Sequence, residues 1–379
     1  MALANNTIYY KAPKEILRMA DDLSLLPAWF VDEGALVKIL NYELNDSLLR
    51  HYERLGLCLS AKLDSEYRDV DYRPWGWNRS LIHRLAKEKV SPSHLPSTKE
   101  MDKIRCLSGR QMSVQVLKAF AGMQHICGYA VACHTLEQVQ SVIEQNYMSI
   151  VKSPWSGSGR GLVKIDSNEL DDNVRGWIAR ILRSQGEVMV EPLYNKVIDF
   201  AMEFHADNCK VEFRGYSMFE TDDHGNYKCN LLASDNVIET QLSQYVPVGL
   251  LHGVKMRLLS VFNRMIKGNY NGYFGVDMMI CNQDGEYKVH PCVEVNLRMN
   301  MGVVARIVYD RHVSPLSHGK YVVEHFFSDN EAMAFALKMK TVFPSVVDGG
   351  QFISGYFPLT PLCTTTRFHV YLLLANKDG

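Results

Sequence analysis

The 379-residue sequence lacks the features that mark several special classes of protein. Its formal net charge is only −1, from 41 basic and 42 acidic residues, so no global field favours nucleic acid or an anionic membrane as a partner. No apolar run reaches the ~20 residues that a bilayer-spanning helix needs. Any binding of an anion must therefore come from a local site.

Cysteine is present, but in an arrangement that excludes two structural roles. The nine cysteines are odd in number and scattered, and no C-x-x-C pair occurs. A secreted disulfide framework and a structural zinc site are both disfavoured. The N-terminus has no basic start followed by an apolar stretch, so we expect no signal peptide. We predict reduced thiols in a cytoplasmic protein.

Two common nucleotide-binding motifs are also missing. Neither GxxxxGK[ST] nor GxGxxG occurs, which disfavours a P-loop, a Rossmann fingerprint and a protein-kinase glycine loop. With 47% hydrophobic and 22% charged residues, the composition is typical of a globular chain with a substantial core. The length predicts two or three packed units.

The chain divides at its clearest break, "SPSHLPSTKEMD", which is rich in proline and Ser/Thr. Residues 1–97 have mixed α/β patterns. The stretch "KIRCLSGRQMSVQVLKAF" that follows the break predicts one helix, and strands and hairpins dominate from about residue 148. The last part, 313–379, mixes helix and strand.

A polar alternation marks the stretch "VHPCVEVNLRMNMG", residues 289–302. Together with "GYFGVDMMICNQDGEYK" it predicts a hairpin that turns at Asp284-Gly285. A two-residue loop places Asp277 opposite Cys292, which makes Asp277 and Glu294 diagonal neighbours roughly 7–8 Å apart.

Asp277, Glu294 and the Asn296 amide oxygen could then converge on a hard cation such as Mg²⁺. Pro291 implies an edge or a bulge, and a one-residue shift would spoil this arrangement. A solvated strand face is the alternative, and on this pattern alone we favour it.

A small, glycine-rich loop follows a strand in "SIVKSPWSGSGRGL". Backbone amides in such a loop can approach a phosphate closely, and Lys152 adds a charge. A flexible surface turn explains the loop equally well. The candidate phosphate-binding residues of this stretch are Lys152, Ser156, Gly157, Ser158, Gly159 and Gly161.

Three weaker signals accompany this loop. Lys103 lies at the start of a helix, where an anion could bind, although such a lysine is usually only solvated. "VEPLYNK" predicts a strand that bends at Pro192, where exposed backbone could pair with adenine, but an ordinary interdomain link is the favoured interpretation. "YRPWGWNRS" interleaves arginine and tryptophan; it would suit a planar or anionic acceptor, but a turn anchored by buried tryptophans is the favoured reading.

Together, in this order, these motifs resemble the ATP-grasp fold of the D-alanine–D-alanine ligase and biotin carboxylase families, over roughly residues 98–310. The resemblance implies an α+β chain with four parts. They are a pre-grasp α/β domain (1–97), a grasp subdomain with the lid loop (98–190), a grasp subdomain with the metal site (191–312) and a C-terminal extension packed on the grasp domain (313–379).

The resemblance also implies roles for individual residues. Lys103 and Lys152 would contact ATP phosphates, under a lid formed by Ser156 to Gly161. Glu191 to Tyr194 would form the adenine hinge, with the backbone of Leu193, and Asp199 would bind the ribose. Asp277, Glu294 and Asn296 would hold Mg²⁺, or Mn²⁺ instead, and Arg298 would be catalytic. Arg160 departs from the small residues of such lids.

The function implied is an ATP-dependent carboxylate–amine ligase that works through an acyl phosphate and releases ADP and phosphate. Its partners would be a small carboxylate and a small amine, with a homo-oligomer left open. The alternatives are a phosphotransferase acting on a small-molecule hydroxyl and a nucleotide-binding scaffold without turnover. No catalytic base is evident; His290, His312 and Glu220 are candidates by residue type only.

Overall fold

The structure is a computed structural model, and it describes residues 2–57, 59, 61–146, 148–156, 161–221 and 227–376. Its helices are α1 (Ala2–Asn5), α2 (Lys14–Asp22), α3 (Tyr42–Arg54), α4 (Arg79–Lys87), α5 (Thr98–Leu107), α6 (Gln111–Lys118), α7 (Leu136–Ile143), α8 (Asp172–Gln185), α9 (Asp235–Leu242), α10 (Val248–Met265), α11 (Met301–His312) and α12 (Glu331–Val342). None of the helices within these ranges has the length and hydropathy needed to cross a bilayer.

The strands form three sheets. They are β1 (Leu36–Lys38), β2 (Lys62–Asp64), β3 (Val131–Cys133), β4 (Ser149–Lys152), β5 (Leu162–Ile165), β6 (Val188–Pro192), β7 (Lys196–Ala206), β8 (Val211–Thr221), β9 (Tyr227–Leu232), β10 (Gly272–Gln283), β11 (Glu286–Asn296), β12 (Ser317–His325), β13 (Val346–Asp348), β14 (Gln351–Pro358) and β15 (Phe368–Asn376). The sheet orders are β1-β2, β3-β6-β4-β5 and β11-β10-β7-β8-β9-β12-β15-β14-β13.

The nine-stranded sheet has two different faces, because successive side chains along each strand point to opposite sides of the sheet. One face of β10 and β11 carries apolar residues, which join the largest core cluster with α6 and α10. The same sheet continues into β12, which pairs with β9, so the C-terminal strands β12 to β15 extend the sheet. The expected division at 190/191 falls inside β6.

Packing explains how the first residues join the rest of the chain. Trp29 and Tyr52 lie in one core cluster with Phe352 and Phe357 of the C-terminal part. The indole of Trp29 donates to the carbonyl of Leu359 at 2.7 Å. The N-terminal part is therefore anchored on the C-terminal strands, which the sequence did not predict.

The predicted hairpin turn at Asp284-Gly285 is confirmed, with Gln283 paired to Glu286. The register beyond it differs from our expectation, because Met279 pairs with His290 but Asp277 pairs with Glu294. The three residues that begin with Pro291 therefore stand opposite Met278 alone. This bulge shifts the register by two residues rather than one, so Glu294 keeps its face.

A single helix over "KIRCLSGRQMSVQVLKAF" was wrong. The chain forms α5, with a capping box between Ser97 and Glu100, and then breaks before α6 begins at Gln111. The break falls on the Ser108-Gly109 pair, where the backbone closes a turn from Gly109 to Cys106. Arg110, at this break, is the N-cap residue of α6, and its side chain contributes to the site described below.

Candidate functional site

Two carboxylates lie side by side at the polar face of the β10–β11 hairpin. Asp277 and Glu294 are direct cross-strand partners, closer than the diagonal arrangement we predicted. Cys292, which we expected on the same face, instead packs in the core, because the bulge rotates it to the other side. The expected opposition of Asp277 and Cys292 was therefore wrong, but the two carboxylates do meet.

Asn296 and Arg298 extend this polar face. The amide nitrogen of Asn296 donates to Asp277 Oδ2 at 2.9 Å, and its amide oxygen accepts from Arg298 Nη2 at 3.0 Å. A half-turn of the amide would place its oxygen beside the Asp277 carboxylate. The structure thus brings Asp277, Glu294, Asn296 and Arg298 into one group.

The pairing of like charges changes the acidity of Asp277. Burial, followed by the repulsion of Glu294, raises the pKa of Asp277 to about 7, although Arg298 and Asn296 oppose the change. Asp199, which lies opposite Met279 on the neighbouring strand β7, also contributes to the raised pKa. A divalent cation would stabilise two carboxylates held this close together.

This raised pKa predicts a pH-dependent stability. The folded pKa lies above the ordinary value of 3.8, so the stabilising effect of the proton is complete below about pH 4 and is lost as pH rises through 7. Without divalent ions, Asp277→Asn should melt roughly 2 °C or more above the wild type at pH 8, and much closer to it at pH 5. Thermal melts at both pH values measure this.

Asp284→Asn at the exposed hairpin turn is the matched control, because it removes a carboxylate that lies outside the group. A melting temperature of Asp277→Asn that follows the wild type at every pH would contradict this account.

Lys152 and Glu191 form a buried ion pair. Lys152 ends β4 and is 5% exposed, Glu191 lies on the neighbouring β6 at 3%, and their charged atoms are 2.6 Å apart. Glu191, which we predicted at an adenine hinge, holds the Lys152 ammonium through its carboxylate. The backbone N–H of Leu193 donates to the carbonyl of Met148 at 3.0 Å, so it too is engaged.

The glycine-rich loop connects β4 to β5, whose ends pair at Lys152 and Leu162. Ser153 closes its base by donating to the carbonyl of Gly161 at 2.9 Å, and Gly161 has φ of +75°. Ser156 receives a hydrogen bond at the start of the loop. The remaining predicted lid residues, Gly157, Ser158, Gly159 and Arg160, lie outside the described residues.

Arg110 is a candidate that the sequence reading missed. This arginine is 5% exposed, and its guanidinium donates to the carbonyl of Ser153 at 2.7 Å, to Ser156 Oγ and to Glu294 Oε2 at 3.1 Å. It therefore joins the base of the lid loop to the carboxylate pair. The Ser-Gly pair just before it was the available signal, since glycine inside a helical pattern often marks a break.

Two other predicted site residues, Lys103 and Asp199, form hydrogen bonds or ion pairs outside the group of Asp277, Glu294, Asn296 and Arg298. Lys103 is exposed, and its ammonium donates to Asn269 at 3.0 Å, so the structure does not bring it to the other candidates. Asp199 faces the site but is paired with Lys196 on its own strand.

None of the three base candidates lies at the carboxylate pair. His290 is fully buried, and burial together with Lys152 lowers its pKa to about 3, so it is neutral. His312 contacts the carbonyl of Trp29, and Glu220 is paired with Lys320.

The tryptophan turn "YRPWGWNRS" packs directly beside Arg298. The carbonyl of Trp75 accepts from the N–H of Met299 at 2.9 Å, and a side chain at Gly76 would press on Arg298. Trp75 is 37% exposed, so the expectation that buried tryptophans anchor this turn was wrong.

The residues present fit a magnesium nucleotide. Two adjacent carboxylates, of which Asp277 has a raised pKa, and the neighbouring Asn296 amide carry oxygen atoms of the kind that Mg²⁺ prefers. Among the described residues no group of three or more His, Cys, Asp or Glu is placed to hold a metal ion. The buried cations Lys152 and Arg110 lie at the base of the loop beside this set.

Comparison with known proteins gives a result at the level of structure. No protein-family model and no curated protein sequence matches the chain. The Rhizobium etli pyruvate carboxylase T882A, with the allosteric activator acetyl coenzyme-A, has a TM-score of 0.50 at 14% identity, over 91% of this chain and 36% of that one. The chain has the ATP-grasp fold.

Two further solved structures have TM-scores below this value and do not contribute to the assignment of the ATP-grasp fold. Staphylococcus aureus N5-carboxyaminoimidazole synthetase has a TM-score of 0.48 at 13% identity, over 92% of this chain and 95% of that chain. Campylobacter jejuni biotin carboxylase has 0.45 at 13%, over 72% and 64%. At these identities the similarity concerns the fold alone. The predicted α+β ATP-grasp architecture is confirmed.

Proposed function

We propose that the chain is an ATP-dependent carboxylate–amine ligase that activates a carboxylate as an acyl phosphate. The observation that carries this proposal is the single group formed by Asp277, Glu294, Asn296 and Arg298 beside the buried cations of the loop. A carboxylate resists attack by an amine because of its own charge, and phosphorylation gives it a good leaving group. The enzyme must then position the partners in line and neutralise developing charge.

The residues divide this work by their position. Lys152 and Arg110 would bind the phosphates of ATP at the base of the loop, where both are buried and firmly held. Arg298 would stabilise the transferring phosphoryl group or the tetrahedral intermediate, since its guanidinium borders Asn296. Asp277, Glu294 and Asn296 would hold Mg²⁺, which when bound neutralises charge on the phosphates.

We also propose a division of the chain into four parts, at 1–97, 98–190, 191–312 and 313–379, and a cytoplasmic location. Whether the protein forms a homo-oligomer stays open.

The turn at Trp75 supports an acceptor site near residues 72–79, because this turn borders Arg298 and leaves an aromatic ring accessible.

An Mg·ATP turnover assay tests the function directly. The protein is incubated with pools of amino acids and small carboxylates, and ADP, AMP and phosphate are measured separately. We expect ADP and phosphate in equal amounts, only when an acid and an amine are both present. Formation of ADP with a phosphorylated product would support a phosphotransferase instead, and an absence of nucleotide turnover would support a scaffold.

The affinity for Mg·ADP should fall when Arg110 is replaced but not when Lys103 is replaced. Arg110→Met removes charge-assisted hydrogen bonds next to the loop, which predicts roughly 10-fold weaker binding of Mg·ADP or more. Lys103→Met should leave affinity within about twofold, because this lysine is exposed and bonded to Asn269. Calorimetric titration measures both. Equal losses in the two variants, or a loss confined to Lys103→Met, would refute the assignment of Arg110.

A further inference from the structure

A buried glutamate that the proposed mechanism does not use lies beneath the site. Glu203 is on β7, is 2% exposed, and faces Gly275 of β10 across the sheet. Its Oε2 accepts from the Asn300 amide nitrogen at 3.0 Å, and the Ser217 hydroxyl lies beside the same carboxyl. A buried carboxyl is costly unless such partners satisfy it, so the neighbours must be arranged for it.

Two glycines make room for this carboxyl. A Cβ at Gly275 would collide with Glu203 Oε2, and a Cβ at Gly302 would collide with Oε1. Gly302 lies in the first turn of α11, and Gly275 lies two residues before Asp277. The Glu203 carboxyl is therefore enclosed between the start of α11 and the strand that carries the carboxylate pair.

The partners of Glu203 are fixed in orientation by their other hydrogen bonds. Asn300 caps α11, because its amide oxygen accepts from the N–H of Val303 at 2.9 Å, so its NH₂ group must face Glu203. On the other side, Asn230 donates to the Ser217 oxygen at 2.6 Å, which leaves the Ser217 O–H available for the neighbouring Glu203 carboxyl. Glu203 thus has a potential hydrogen-bond donor on each side.

We infer that Glu203 is a positioning residue, an inference that rests on the function proposed above. Through its hydrogen bond to Asn300, Glu203 holds the chain segment that carries Arg298 over the carboxylate pair. Asn300 follows Arg298 by two residues, and the sheet and the helix meet at Glu203. Arg298 borders Asn296 at 3.0 Å, so movement of this segment would displace the guanidinium from the group. Glu203 itself, being enclosed, does not contact substrate.

Two variants cut this connection in different ways. Glu203→Gln places an NH₂ group against one of the two fixed donors. Asn300→Ser keeps an N-cap for α11 but removes the donor to Glu203, and it is the milder change if Glu203→Gln folds poorly. Glu220→Gln, an exposed glutamate paired with Lys320, is the control.

We expect kcat for Mg·ATP in the acceptor-pool assay to fall roughly 10-fold or more in both variants, with KM for ATP within about threefold. Added to Arg298→Ala, either change should reduce kcat by no more than about twofold further, since both act through one guanidinium. Additive losses, or wild-type kcat in both variants, would overturn the inference.

A crystal structure of Asn300→Ser gives a second measurement that does not depend on turnover. We expect the Arg298–Asn296 bond to be broken and the segment 297–300 to be displaced. An unchanged Arg298 in this structure would refute the positioning role even if the wild type proved to be an active ligase. Conversely, a wild type without turnover would refute the proposed function, while a displaced Arg298 would still support the positioning role.

Discussion

Replacing Glu294 by glutamine is expected to reduce turnover of Mg·ATP about 100-fold or more while the fold stays intact. The change keeps the shape of the side chain but removes one of the two negative charges that face each other across the hairpin. It also weakens the bond that Arg110 donates from the base of the loop. A cation and a polyphosphate tail would both lose a partner at once.

The melting temperature of Glu294→Gln should change little, because Glu294 lies next to another carboxylate. Glu294 repels Asp277 and helps to raise its pKa, so losing that charge relieves a strain in the ion-free protein. Glu294 is also only half-buried. Turnover assays at saturating ATP, and thermal melts in the same buffer, measure the two effects separately.

Glu286→Gln, on the exposed side of the same hairpin, is the matched control and should behave like the wild type. A melting temperature of Glu294→Gln that collapses together with activity would make Glu294 a structural residue. Turnover within about threefold of the wild type would remove it from the site altogether.

Local sequence rules predicted those parts of the site that depend on short-range chemistry. Asp284-Gly285 indicated the hairpin because both residues must adopt positive φ, and they do, at 53° and 89°. The alternation of Glu294 and Asn296 indicated a polar face, and the glycines after Lys152 indicated the loop. These signals need only residues close in sequence, which is why they could be found.

The missed features depend on contacts between distant residues. Arg110 and Glu294 are 184 positions apart, and Glu203 and Asn300 are 97 apart, so only the fold brings them together. Glu203 stands in the apolar run "FAMEFHA", where alternation alone does not distinguish a buried acid from a solvated one. Lys103 has a side chain of the right type for a phosphate contact, but its ammonium is exposed and bonded to Asn269, which lies 166 positions away in the sequence.

The bulge at Pro291 shows how a local signal can be recognised and still be misread. Proline cannot donate to the ladder, so an irregularity was predictable there. The size of the bulge was not predictable, because a bulge of one or of two extra residues would equally well take the proline, which has no N–H, out of the regular ladder. Burial decides the outcome: a two-residue bulge puts Cys292 in the core and leaves Glu294 beside Asp277.

Removing Lys152 should have the largest effect on stability of any single change at the site. Lys152→Met leaves the Glu191 carboxylate buried, at 3% exposure, without its partner at 2.6 Å. An unpaired buried charge of this kind typically costs about 3–5 kcal/mol. We expect the melting temperature to fall by roughly 5 °C or more, and binding of Mg·ADP to be lost with the phosphate contact.

The double variant Lys152→Met/Glu191→Gln separates these two consequences. With the carboxylate replaced by a neutral amide, no buried charge remains, and we expect most of the lost stability to return, to within about 1 kcal/mol of the wild type. Nucleotide binding should not return, because the ammonium is still absent. Restored melting without restored affinity, measured by calorimetry, would mean that the pair is kept for the ligand; recovery of both would mean that Lys152 is only a structural counter-ion.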